Sequence, residues 1–153
     1  MSGAYRSIGI NRNDFMSLIQ MRPEGGAAFG TLEWVAYASN AFNTMVPFYA
    51  DVDEIPEYLA NTTGEVSTEN FYWTSRMIAA MADASYGKSL FHVEHYQENV
   101  LAKSHALINQ YDALLADEKD PEKQMELKRK ANRKVAEMVQ KEASATLKKV
   151  LYE

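Results

Sequence analysis

The first apolar runs of the chain predict β-strands within residues 5–38. Residues 15–21 form a nearly continuous apolar run that ends before Pro23, as expected of a strand buried on both faces. In residues 32–38 every second residue is apolar, which is the alternation of a strand with one face on a core. Isoleucines within residues 8–10 predict a third, shorter strand. These runs together predict a small β-sheet.

The rest of the chain predicts a loop followed by helices. Residues 39–66 are predicted to be loop-rich, because Pro47 and Pro56 interrupt regular structure. Apolar residues at helical spacing then predict helices over residues 67–86, 88–118 and 121–152.

Polar residues mark where these helices begin. Ser67 or Thr68 is predicted to cap the first helix, and Asp120 with Pro121 is predicted to start the last. The apolar stripes of the two long helices predict an antiparallel hairpin, or a contact with another subunit.

The order of these elements favours an α+β fold in which residues 1–153 form a single partial domain with a long C-terminal helical hairpin. A sheet of two or three strands leaves unpaired backbone groups at its edges, which intact proteins usually cover. We therefore expect the chain to be part of a larger protein.

Composition narrows the chemistry. The chain has 153 residues, of which 46% are hydrophobic, and it contains no cysteine, so it offers neither a thiolate nucleophile nor disulfides. The sequence shows no secretory leader and no apolar run of membrane-spanning length. We therefore expect a cytoplasmic protein that does not contact membranes.

Charge is distributed unevenly. Residues 1–118 carry a formal charge of −9 and residues 119–153 one of +4. In the basic tail, lysines and arginines such as Arg129 and Arg133 alternate with acidic residues and lack interleaved aromatic residues. This pattern favours a solvated helix face over a nucleic-acid-binding surface.

Two clusters contain the residue types that bind metals. His92, Glu94 and His95 lie close together, but their spacing is not that of a zinc-protease motif, and ordinary surface histidines are the favoured interpretation. An acidic cluster in the loop lacks the glycine of a calcium-binding loop, which favours solvated turn residues. Its members are Asp51, Asp53, Glu54 and Glu57. We expect no metal and no cofactor.

Ser2 is a further candidate nucleophile. Removal of the initiator methionine would leave its hydroxyl beside a free α-amine, the pairing that N-terminal nucleophiles use. Met-Ser is a commonplace start, so an ordinary N-terminus is the favoured interpretation.

Three segments carry a family resemblance, and it extends over roughly residues 6–111. They are DFMSLIQMRPE, GTLEWVAYASNAFNTMVPFY and STENFYWTSRMIAAMADASY. They resemble the C-terminal third of enzymes in the N-terminal-nucleophile dipeptidase family, which also includes the secernins. The resemblance implies the last strands and closing helices of an αββα Ntn-hydrolase sandwich.

The same resemblance implies a mechanism that this chain cannot perform unaided. Members of the family use an N-terminal cysteine, whose α-amine acts as base, to hydrolyse unblocked dipeptides. The chain has no cysteine, so the family's nucleophile has no matching position here. Arg6, Asn40 and Asn43 could still line a dipeptide pocket, through a guanidinium that binds a carboxylate or an amide that donates to an oxyanion. Their alternatives are an ion pair for Arg6 and loop-stabilising hydrogen bonds for the asparagines.

Three functional hypotheses follow. The leading one is the C-terminal segment of a dipeptidase, inactive by itself and dependent on the N-terminal portion of the enzyme. The second is a non-catalytic module that forms homo-oligomers through its helices and sheet edges. The third is a complete enzyme that uses Ser2.

Overall fold

The computed structural model describes residues 13–60 and 62–153 and has the predicted α+β composition. Its antiparallel sheet has the strand order β1-β2-β3. The strands are β1 (Phe15–Met21), β2 (Thr31–Tyr37) and β3 (Val46–Tyr49). The helices are α1 (Gly26–Phe29), α2 (Glu57–Ala60), α3 (Phe71–Ala84), α4 (Tyr86–Asp117) and α5 (Pro121–Tyr152), and a 3-10 turn (Pro23–Gly25) precedes α1. The strand predicted within residues 8–10 lies outside the described residues.

Strand β1 differs from its prediction. Its apolar sequence predicted burial on both faces, and this was wrong: Leu18 and Ile19, whose side chains point to opposite faces, are 52% and 57% exposed. The reason is its position, since β1 pairs with β2 through one edge and no described layer covers either of its faces. The sequence of β1 is therefore suited to a more buried environment than the one it has here.

Strand β3 lies inside the segment that was predicted to be loop-rich. All of its residues are buried, and Pro47 is opposite Trp34 of β2. Proline is tolerated because β3 is the last strand of the sheet on this side among the described residues, so its missing N–H removes no ladder bond to a further strand. Helix α2 adds a second regular element to this segment.

The outer edge of β3 is completed by a side chain of α5. Asn132 is buried, and its Oδ1 accepts a hydrogen bond of 2.8 Å from the backbone N–H of Tyr49. Its Nδ2 donates one of 3.0 Å to the carbonyl oxygen of Tyr49. A side-chain amide thus occupies the place where the backbone of another strand would pair. The two edges of the described sheet therefore differ, because β1 has no such contact.

The start of α3 was predicted too early. Asn70 is the N-cap, since its side-chain oxygen accepts a 2.9 Å hydrogen bond from the backbone N–H of Trp73. Ser67 accepts instead from Glu69, within the turn before the helix. The predicted start of α5 is confirmed, because the Asp120 side chain accepts from Glu122 and Pro121 is the first helical residue.

The two long helices pack against each other. His92 near the start of α4 lies 3.6 Å from Glu153 at the end of the chain, and Lys103 farther along α4 is paired with Glu142, which comes earlier in α5. The two helices therefore run antiparallel. Val93 and Val100 of α4 are buried in one core cluster with Val135 and Val139 of α5. A second cluster joins Leu32 and Trp34 of β2 to the C-terminal half of α4. The predicted hairpin is therefore present, and it supports the sheet.

Candidate functional site

A cavity of about 590 Å³ lies beside the C-terminal end of β2. The turn that follows β2 forms one side, α3 forms another, and the start of α4 contributes Tyr86. Asn13 and Asp14, just before β1, complete the lining. The cavity therefore lies where strand ends, a turn and a helix face meet, which is a common location for ligand sites.

The turn beside the cavity is held in an uncommon backbone conformation. Ala38 has φ +71°, in the left-handed region that costs a residue with a β-carbon about 1 kcal/mol or more. Its carbonyl oxygen accepts a 3.1 Å hydrogen bond from Nδ2 of Asn43, and Nε2 of Gln97 donates to the carbonyl oxygen of Asn43 at 2.8 Å. Helix α4 thus fixes the turn through Gln97.

The predicted pocket residues fall in different places. Arg6 lies outside the described residues. Asn40 is half-buried in the turn, between Ser39 and Ala41, and both of these neighbours line the cavity. Asn43 is buried, and its amide makes the loop-stabilising hydrogen bond described above, so it supports the turn. A direct role of either asparagine toward a substrate stays a prediction.

The structure adds charged residues that sequence reasoning missed. Arg76 of α3 lines the cavity and donates through Nη1 to Oδ1 of Asp14 at 2.5 Å. Its guanidinium also lies over the ring of Tyr72, 5.5 Å from the centroid. Asp83 lines the same cavity from the same helix. A signal was present, because Arg76 and Asp83 are seven positions apart in the predicted helix and so share a face.

The histidine cluster on α4 is placed on the surface. His92 lies 3.6 Å from a carboxylate oxygen of Glu153, and His95 packs against the ring of Phe91. Across residues 13–60 and 62–153, no group of three or more histidine, cysteine, aspartate or glutamate side chains is arranged to hold a metal ion.

The acidic residues of the loop were expected to be solvated turn residues. In the structure, Asp51, Asp53 and Glu54 are ion-paired with α5. Asp53 accepts two hydrogen bonds of 2.7 Å from Arg129, and Glu54 is paired with Arg133. The hydrogen bonds from Arg129 lower the pKa of the Asp53 carboxyl. Asp51 is paired with Lys128, which is only 4% exposed, so the basic face of α5 is not wholly solvated as predicted. These contacts anchor the loop to the helix.

A second polar cluster lies under the sheet. Arg22, just after β1, is paired with Asp112 of α4 at 2.6 Å, and Asp112 also accepts a 2.7 Å hydrogen bond from the hydroxyl of Tyr49. Burial, followed by the bond to Asp112, raises the pKa of the Tyr49 hydroxyl. Arg22 also donates to the carbonyl oxygen of Phe29. This cluster fastens the end of β1 to α4 and β3, which is a structural role.

None of the helices in the described parts of the chain is both long and apolar enough to span a membrane.

Comparison with known proteins places the chain in a class of peptidases. Residues 2–99 match the sequence model of peptidase family C69, and the chain belongs to that family. The match covers the sheet, the cavity and the first half of α4. The resemblance to a dipeptidase family is therefore confirmed.

Individual relatives carry dipeptidase names. The "Probable dipeptidase A" of Streptococcus pyogenes serotype M18 is 41% identical over 151 residues, which cover 97% of this chain and 30% of that protein. The "Dipeptidase" of Bifidobacterium longum is 45% identical over 112 residues, or 73% of this chain and 21% of that protein. The "Probable dipeptidase B" of Lactococcus lactis is 32% identical over 108 residues, or 71% and 23%.

The chain thus spans about three tenths of the length of its streptococcal relative. It corresponds to the C-terminal portion of a dipeptidase A-like protein.

Proposed function

We propose that this chain is the C-terminal segment of a dipeptidase, and that it supplies part of the substrate cleft while the nucleophile comes from the portion of the family that it does not span. The observation that carries the proposal is the match of nearly the whole chain to a dipeptidase A over only 30% of that protein. The activity is the hydrolysis of unblocked dipeptides, and the chain by itself, without a cysteine, does not perform it.

The cavity supports this assignment. It is bordered by the turn that contains Asn40 and Asn43, and by charged side chains of both signs. A zwitterionic peptide has one charge of each sign, and charge-assisted hydrogen bonds bind such groups well. The fixed backbone around Ala38 gives the turn the rigidity that a binding site needs.

Strand β1 supports the proposal of a larger fold. Its exposed apolar side chains suit contact with further strands, and in an αββα Ntn-hydrolase sandwich one sheet continues and a second packs on its face. The β3 edge is closed by Asn132, so further strands would be added on the β1 side. Residues 1–153 would then be one part of a single larger domain.

Reconstitution tests the proposal. The chain is mixed or fused with the N-terminal portion of the streptococcal relative, the part that its match leaves uncovered, and release of amino acids from unblocked dipeptides is measured. Turnover by the combination, with none by either part alone, is the expected result. A chain that hydrolyses dipeptides by itself and loses this activity in Ser2→Ala would instead make Ser2 the nucleophile. Failure of every combination to turn over would remove the support for the dipeptidase role.

A second function is favoured by the same exposed strand. A copy of this chain could cover the apolar faces of β1, which would make the chain a non-catalytic homo-oligomer. Light scattering distinguishes the dipeptidase segment from the homo-oligomer. A monomer with a cooperative melting transition leaves the oligomer without support, whereas a stable dimer that is disrupted by a polar substitution in β1 favours it.

A further inference from the structure

The charged residues of the cavity follow one face of α3. Arg76, Ala79, Ala80 and Asp83 all line it, as their helical spacing requires. Seven residues at about 1.5 Å each place the α-carbons of Arg76 and Asp83 about 10.5 Å apart along the helix. The alanines between them are small and leave space. The cavity therefore has a cation near one end of this wall and an anion near the other.

Both charged groups have unused capacity for a ligand. Nη1 of Arg76 donates to Asp14 and, at 3.2 Å, to the hydroxyl of Tyr72. The hydrogens on its Nε and Nη2 make no hydrogen bond with the described residues, so two parallel donors are left for a carboxylate. Asp83 is exposed and has no ion-pair partner in the described parts of the chain.

An unblocked dipeptide has a matching arrangement of charge. Its α-ammonium and α-carboxylate are at most about 7 Å apart, because an extended chain spans about 3.3–3.6 Å per residue. Arg76 and Asp83 line one cavity from α-carbons about 10.5 Å apart, and the guanidinium of Arg76 lies back over Tyr72, toward the N-terminal end of α3. With a hydrogen bond of about 2.8 Å at each end, an extended dipeptide is long enough to reach both charged groups. A dipeptide with either end blocked lacks one of the two charges and cannot pair with both groups.

We propose that Arg76 binds the α-carboxylate and Asp83 the α-ammonium of an unblocked dipeptide. The inference rests on the proposed function for its ligand. It assigns the recognition of both charged ends of the substrate to residues of this chain, separately from the nucleophile.

Asp14 modulates the carboxylate end of this site. The carboxylate of Asp14 is paired with Arg76. It therefore repels the substrate carboxylate that would bind the same guanidinium. Asp14→Asn is therefore expected to tighten the binding of dipeptides, in the direction opposite to Arg76→Gln. Opposite effects from two partners of one ion pair are not expected if that pair is only structural.

Binding to the full chain tests the assignment. Titrations use unblocked dialanine, its C-terminal amide and its N-acetyl form, followed by calorimetry or by NMR of the α3 amides. Arg76→Gln is expected to weaken binding of dialanine about tenfold or more and to leave binding of the amide unchanged, because the amide has no carboxylate. Asp83→Asn is expected to weaken binding of the C-terminal amide, which keeps its ammonium group. It should leave binding of the N-acetyl form unchanged, because that form has no ammonium group.

Matched variants separate binding from folding. Arg76→Lys keeps the charge and should retain part of the affinity, while Arg129→Gln removes an arginine that is paired with Asp53 away from the cavity and should leave binding unchanged. Each variant is melted to confirm that it folds. Equal affinity for the blocked and unblocked forms, absence of saturable binding, or identical behaviour of Arg76→Gln and Arg129→Gln would overturn the inference.

Different results would contradict the proposed dipeptidase role and the assignment of the binding site. If the chain binds dipeptides with the expected charge selectivity but no reconstituted combination turns them over, the dipeptidase role is contradicted and the binding site is supported. Restored turnover with an unchanged KM in Arg76→Gln removes the binding site and leaves the dipeptidase role.

Discussion

At the scale of single residues, buried tyrosine hydroxyls differ in whether they are hydrogen-bonded. Tyr96 is 3% exposed, and its hydroxyl has no hydrogen-bond partner in the described structure, whereas the hydroxyl of Tyr49 donates to Asp112. A buried polar group without a partner loses its hydration without compensation. Burial raises the pKa of the Tyr96 hydroxyl for the same reason, since the phenolate would be poorly solvated.

Removing the two hydroxyls should therefore change the free energy of unfolding differently. Tyr96→Phe is expected to leave the free energy of unfolding unchanged or to raise it by about 1 kcal/mol, because the lost group has no partner. Tyr49→Phe is expected to lower it by about 1–2 kcal/mol, because Asp112 loses a hydrogen bond. Urea unfolding measures both. A large loss in Tyr96→Phe would mean that this hydroxyl is hydrogen-bonded in solution.

The arginine network on α5 predicts a dependence of stability on acid. Hydrogen bonds from Arg129 lower the pKa of Asp53, and those from Arg133, followed by Arg129, lower the pKa of Glu126. A carboxyl whose pKa is lower in the folded state binds more protons when unfolded, so its contribution is present above the unfolded pKa of about 4. That contribution is lost as the pH falls through the folded pKa.

Urea unfolding between about pH 5 and pH 2 measures this loss. The wild-type chain should lose stability over this range, and Asp53→Asn should show a smaller loss because it removes one of the titrating groups. Glu98→Gln, an exposed substitution on α4, serves as the control and should follow the wild-type curve. Identical curves for all three would show that the pairs are open in solution.

At the scale of elements, the two edges of the sheet have different environments. Asn132 binds both backbone groups of Tyr49 on the β3 edge, while β1 pairs only with β2 among the described elements. Stability should therefore depend on the β3 edge. Asn132→Ala leaves a buried N–H and a buried carbonyl unpaired and is expected to cost about 2–4 kcal/mol.

Asn99→Ala provides the matched control for this substitution. Asn99 is exposed on α4, so the same change should alter the free energy of unfolding by less than about 0.5 kcal/mol. Thermal or urea unfolding compares the two variants. Similar small effects would mean that the Tyr49 backbone finds other partners when the amide is removed.

The long elements were predictable because their signals are local. Asp120 and Pro121 start α5, and the alternation of Leu32 and Trp34 marks β2, from the sequence alone. Strand β3 was not predictable, because Pro47 is a loop signal unless the strand is known to lie at an edge. The order of strands and the Asn132 contact depend on residues far apart in sequence, which no local pattern reports.

The candidate site was predictable only in part. The sequence offered Asn40 as a pocket residue, and the structure places it in a turn whose neighbours Ser39 and Ala41 line the cavity, while its role toward a substrate stays a prediction. The shared helix face of Arg76 and Asp83 follows from their spacing. The ion pair of Arg76 with Asp14 could not be predicted, because it joins residues 62 positions apart. For Asn43, the sequence left a substrate contact and a structural hydrogen bond open, and the structure shows a hydrogen bond to Ala38.

At the scale of the whole molecule, substitutions of the exposed side chains of β1 should affect assembly with a partner while leaving the stability of the chain unchanged. Ile19 is 57% exposed, so Ile19→Thr removes little buried apolar surface and keeps a residue that favours strands. It should change the free energy of unfolding of the chain by less than about 0.5 kcal/mol. If β1 is the surface on which the rest of the dipeptidase packs, the same variant should bind the N-terminal portion of the streptococcal relative more weakly.

Gel filtration and recovered turnover measure this assembly, with Leu101→Gln as the control. Leu101 is 46% exposed on α4 and is not part of the sheet, so its substitution should leave complex formation intact. Loss of assembly in Ile19→Thr alone would identify β1 as the contact with that N-terminal portion. Equal assembly of both variants would place that contact elsewhere. A loss of stability in Ile19→Thr before any partner is added would show that β1 is already buried, by residues of its own chain or by a second copy, and concentration dependence of the loss would distinguish these two.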